Sequence, residues 1–63
     1  MKLKDLLNLI EMNEGIELYI FDNAGFVFND LWRGQPDILY IRGNRIVTNI
    51  TAGDSPSIII EIE

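Results

Sequence analysis

Apolar residues in the opening segment KLKDLLNLIEMNEG recur at Leu3, Leu6, Leu7 and Ile10, the i, i+3, i+4, i+7 spacing of one helix face. Lys4, Asp5, Asn8 and Glu11 take the other side, so the spacing predicts an amphipathic helix that ends near Asn13, with Gly15 placed to reverse the chain. From Ile16 the period changes to two. Ile16, Leu18 and Ile20 alternate with Glu17, Tyr19 and Phe21, the pattern of a strand. The tetrad Asp22-Asn23-Ala24-Gly25 then predicts a turn, with Gly25 free for a bulge conformation, and Phe26 to Trp32 returns as the second strand of a hairpin.

A three-residue loop sets Asp22 opposite Phe26, Ile20 opposite Phe28, Leu18 opposite Asp30 and Ile16 opposite Trp32. One hairpin face is then Ile16, Leu18, Ile20, Phe26, Phe28 and Trp32, interrupted by Asp30. The reverse face carries Glu17, Tyr19, Phe21, Val27, Asn29 and Leu31, which is too apolar for an ordinary solvated surface. A covering layer is expected there, either the rest of the chain or a second copy.

Two readings stand for the segment from Gly34 to Ile50. Ile38 to Ile41 suits a strand and Gly43-Asn44 a two-residue turn, which pairs Tyr40 with Val47 and Arg42 with Arg45. Alternatively Pro36 opens a short helix across Asp37 to Arg42, and only Arg45 to Thr51 is extended. After the loop TAGDSPS, Ile58, Ile60 and Ile62 alternate with Ile59, Glu61 and Glu63, which predicts a closing strand paired with Arg45 to Thr51. The whole chain, residues 1–63, reads as a single α+β domain. Its N-terminal helix packs on an antiparallel sheet of about four strands, with a fifth strand or a short helix near residues 37–42. The helix is expected to bury Leu3, Leu6, Leu7 and Ile10 against Leu18, Ile20, Phe28, Ile58, Ile60 and Ile62.

Length and composition narrow the chemistry. A chain of 63 residues buries only about 60% of its unfolded surface, so it is marginal without help. With no cysteine and no histidine, disulfides and the usual ligands of zinc, iron–sulfur and haem sites are absent, and self-association is the remaining aid. The same absence removes the Ser–His–Asp and Cys–His constellations. No phosphate-binding glycine motif occurs, and Asp22, Asp30 and Asp37 lack the spacing of a calcium loop. No enzyme activity and no cofactor are therefore expected. No apolar run approaches the roughly 20 residues of a membrane span and no secretory signal opens the chain, so it is expected in the cytoplasm, away from membranes.

The net charge of −5 disfavours nonspecific binding to nucleic acid and favours a basic partner, such as the nucleic-acid-binding groove of another protein. The candidate binding residues are Arg33, Tyr19, Tyr40, Arg42 and Arg45, because arginine beside exposed aromatic rings can hold a nucleotide by stacking and charge. That use requires an oligomer that gathers several copies of the arginines. Trp32, on the core face with Phe28 and Ile16, reads as structural.

The segments KLKDLLNLI, IELYIFDNAG, LWRG, the Pro-Asp-Ile-Leu stretch, RIVTNI and IIIEIE together resemble small uncharacterised proteins encoded by phages and prophages of Gram-positive bacteria. The resemblance implies a short helical turn after the proline, from which Gly43-Asn44 departs, and it brings no catalytic motif. It also implies a setting in which small accessory proteins bind and inhibit host or defence proteins, in the manner of anti-CRISPRs. Three expectations follow: an interaction protein that forms a dimer or higher homo-oligomer, an oligomeric nucleotide or nucleic-acid binder, or a structural component of a phage particle.

Overall fold

The computed structural model describes every residue except Ser55, and at Asn13 the main chain alone. Of the loop expected over Thr51–Ser57, Thr51, Ala52 and Ser57 are strand residues, and Ser55 lies outside the described residues. Along the chain run α1 (Leu3–Leu7), a 3-10 turn (Met12–Glu14), β1 (Glu17–Asp22), β2 (Gly25–Leu31), α2 (Pro36–Arg42), β3 (Val47–Ala52) and β4 (Ser57–Ile62). The fold is α+β, with four strands in the order β2-β1-β4-β3.

The first helix is shorter than its apolar stripe. After Asn8 the bonds tighten to i→i+3, with Leu9 N–H donating to the Leu6 carbonyl and Ile10 N–H to that of Leu7. The 3-10 turn then carries the chain to Gly15, whose φ of 66° lies in the left-handed region that only glycine enters at little cost. A helix of five residues is far below the length that is stable alone, so tertiary burial of Leu3 and Leu7 holds it.

Between the two open readings of residues 37–42, the helix is the one formed. Pro36 occupies the first turn of α2, where its missing N–H costs nothing. Gly43 caps the helix instead of turning a hairpin, so Tyr40 and Val47 do not pair and Arg42 and Arg45 are not cross-strand neighbours. Gln35 fixes the approach to the helix: its side chain accepts from Arg33 N–H and donates to the Leu31 carbonyl.

The strands pair β1 with β2 and β3 with β4 antiparallel, but the central pair, β1 with β4, is parallel. The expected antiparallel sheet is therefore a mixed one: alternation of apolar residues is the same for either strand direction, so the pattern does not distinguish the two. A parallel pair needs a crossover, and α2 supplies one by carrying the chain from β2 at one edge to β3 at the other. Leu3, Leu7, Leu18, Ile20, Trp32, Ile38, Ile60 and Ile62 are buried in one cluster, with Leu6, Ile10, Ile16, Val27, Phe28, Leu39, Val47 and Ile58 packed around it. Each fully buried Leu or Ile contributes about 1.5–3 kcal/mol of transfer free energy, and this single cluster is the core.

The hairpin differs from its expected register at the turn. Ile20 faces Phe28 and Leu18 faces Asp30, as anticipated, but Asp22 faces Gly25 and Phe21 faces Phe26. The Asp22 carboxylate accepts from Ala24 N–H at 2.7 Å, closing a tighter turn. Val27 is consequently an extra residue in β2, and this bulge exchanges two side chains between faces. Val27 joins the core, whereas Phe26 is 65% exposed on the other side.

Candidate functional site

Both helices and the core lie on one face of the sheet. The strand registers assign the other face in three rows. Phe26, Phe21, Glu61 and Asn49 form the first, Asn29, Tyr19, Ile59 and Thr51 the second, and Leu31, Glu17 and Ser57 the third. Among the described residues no helix or strand covers these rows. The surface encloses an open concavity of about 500 Å³ lined by Gly15, Glu17, Tyr19, Phe21, Leu31, Gly53, Asp54, Pro56, Ser57 and Ile59.

The aromatic residues of this face are organised. Phe21 and Phe26 stack with ring centroids 4.3 Å apart, and Tyr19 lies 6.3 Å from Phe26. Tyr19 O–H donates to Glu17 Oε1 at 3.0 Å, two residues back on the same side of the strand. From β2, the Asn29 side-chain amide donates to the Leu18 carbonyl at 3.2 Å and reaches Glu17 Oε2 at 3.5 Å. The bond to Glu17 is the chief cause, and desolvation the second, of a Tyr19 pKa above its ordinary value of 10.0. Tyr19 therefore stays a neutral donor and Glu17 a positioned acceptor, beside a row of apolar rings.

The charge on the sheet is of one sign. The four strands carry Glu17, Asp22, Asp30 and Glu61 and no lysine or arginine. Lys2, Lys4, Arg33, Arg42 and Arg45 belong to the N-terminal segment, the two helices and their flanking loops.

Of the residues singled out from the sequence, Tyr19 alone stands on the open face. Arg33 follows β2 and pairs with Asp30 at 3.7 Å. Arg42, at the end of α2, approaches Asp22 at 4.0 Å and ties the helix to the hairpin tip. Arg33 and Arg42 thus sit at opposite ends of β1, since Trp32 bonds to Ile16 before the strand and Asp22 ends it. Arg45 donates to the main-chain oxygen of Glu63. Tyr40 is 86% exposed on α2, away from the other ring. Each arginine is engaged with a different acceptor; Arg45 N–H donates to the Arg42 carbonyl at 3.0 Å, so these two remain neighbours, while Arg33 lies at the other end of β1.

The open face also holds Phe21, Phe26, Leu31, Ile59 and Glu17, none of which carries chemistry that singles it out in the sequence. The signal that could have found most of them is the apolar reverse side of the hairpin, continued by Ile59 on β4; Phe26 was hidden by the bulge. Among the described residues no helix is long and apolar enough to cross a membrane. Comparison with protein families, with curated proteins and with solved structures gives no match, so the functional argument rests on the residues of this chain.

Proposed function

We propose that the chain is a binding module without catalysis, which acts by laying the open face of its sheet on another protein. The observation that carries this reading is the aromatic and aliphatic surface of Tyr19, Phe21, Phe26, Leu31 and Ile59, left uncovered on a domain whose other face holds the whole core. Carboxylates at Glu17, Asp54 and Glu61 flank it and no basic strand residue does, so the complementary surface is basic and apolar, as in the nucleic-acid-binding groove of another protein. With the resemblance to phage and prophage proteins, this supports an accessory protein that occupies and inhibits a host or defence protein, in the host cytoplasm.

The test is affinity capture from a Gram-positive host lysate with the native chain and with Phe26→Lys. Phe26 is exposed, so the substitution leaves the core intact while removing an aromatic ring from the face and placing one positive charge among its carboxylates. A protein retained by the native chain, lost by Phe26→Lys and released by salt supports the reading. Equal capture by both chains counts against it.

A further inference from the structure

The outer edge of β3 has a cover over its first part only. Arg45 and Val47 turn their main-chain groups away from β4, and the N-terminal segment takes them: Leu3 N–H donates to the Arg45 carbonyl and Val47 N–H to the Met1 carbonyl, each at 2.8 Å. The bulge between Val47 and Asn49 then shifts the alternation. Asn49 and Thr51 face Glu61 and Ile59, and Gly53 N–H donates to the Ser57 carbonyl in the same register. The N–H and C=O groups of Ile50 and Ala52 consequently point outward, past the end of the N-terminal cover.

An exposed edge of this kind is ordinarily guarded by charge or proline. Thr48 to Ala52 has neither, and β3 is the one strand of the four without a charged residue. Ile50 is 48% exposed at this edge. A second copy stacked on the open face would set Glu17, Glu61 and Asp54 against carboxylates of the same sign. Edge to edge, two copies meet along uncharged chain.

We propose that the β3 edge pairs antiparallel with the β3 edge of a second copy, Ile50 and Ala52 exchanging main-chain hydrogen bonds with Ala52 and Ile50 of that copy. Thr51 then faces its own counterpart across the two-fold axis, a favourable cross-strand pair. The product is one continuous eight-stranded sheet whose two open faces lie on the same side. Such a pairing covers the two Ile50 side chains and gives a small domain the support its size calls for. It requires no second protein.

The experiment is light scattering behind size exclusion over a concentration series, on the native chain, Ala52→Pro and Ile50→Lys. Proline at 52 removes an outward N–H without touching the bonds to β4, and lysine at 50 places like charges across the axis. The expected result is a native dimer whose dissociation constant rises at least tenfold in each variant, with the circular dichroism of the folded chain retained. If Ala52→Pro fails to fold, Ile50→Lys decides. A native chain that stays monomeric at the highest concentration, or an oligomer of unchanged mass and affinity in a folded variant, overturns the proposal.

Discussion

The ring of Phe26 lies on that of Phe21, centroids 4.3 Å apart and planes inclined by 31°, because Val27 is an extra residue in β2. The bulge sends Val27 to the core and builds the aromatic row of the open face from residues that simple alternation would have separated.

Phe26 should accordingly tolerate truncation as a surface residue does. Phe26→Ala is expected to cost about 0.5–1.5 kcal/mol, the value of an aromatic pair. Ile20→Ala, at a fully buried position, is expected to cost about 2–5 kcal/mol. Urea denaturation of the two variants measures the difference, and comparable losses would return Phe26 to the core.

Alternation made the hairpin legible in the pairs Ile20 with Phe28 and Leu18 with Asp30 and in the burial of Trp32, and helical spacing made α1 legible through Leu3, Leu6 and Leu7, although it closes at Leu7 and not near Asn13. What escaped has physical causes. A bulge changes which side chains share a face without changing composition, so Phe26 and Val27 were exchanged. Ile58, Ile60 and Ile62 read alike in parallel and antiparallel ladders, so the β1–β4 pairing was invisible. The open face was legible as an oddly apolar hairpin side, but its completion by Ile59 depended on that same pairing. Of the arginines that the sequence offers as chemistry-bearing residues, Arg42 and Arg45 stay neighbours through a main-chain hydrogen bond, while Arg33 lies at the other end of β1.

Tyr19 offers a pH-dependent signature. In a Tyr40→Phe chain only one tyrosine remains, and its phenolate absorbance should appear with a midpoint above 10.0. The folded pKa exceeds the unfolded one, so the stabilisation is complete below the unfolded value and is lost as pH rises through the folded value. Glu17→Gln removes the charge that favours the neutral phenol and should draw the midpoint back towards 10.0. An unmoved midpoint would show that Glu17 is not the cause.

Gly34 has a φ of 72°, and a Cβ built there would lie 2.5 Å from Met12 Sδ. Gly34→Ala should destabilise the fold by about 1–2 kcal/mol from the left-handed backbone alone, with the Met12 contact adding to it. Combining it with Met12→Ala should recover the contact component and leave the backbone component. Full recovery in the double variant, by thermal or urea unfolding, would place the whole cost in the side-chain contact.

Trp32 is the single tryptophan and is 3% exposed, with no protein partner for its indole N–H among the described residues. Its fluorescence should be shifted to the blue of a solvated indole and resist quenching by iodide, moving red on unfolding. Trp32→Phe should lose packing volume without losing a protein hydrogen bond, and so cost less than Trp32→Ala, which leaves a cavity worth about 3–5 kcal/mol. A solvent-like emission from the folded chain would contradict the placement of the ring.

The most direct test of the open face as the working surface sets two exposed aromatic residues on opposite sides of the sheet against each other. A photoreactive phenylalanine analogue is placed at Phe26 in one sample and at Tyr40 in another, and each chain is irradiated in host lysate. A heterologous protein cross-linked from position 26 and not from position 40 is the predicted result; cross-linking from position 40 with none from position 26 would contradict it.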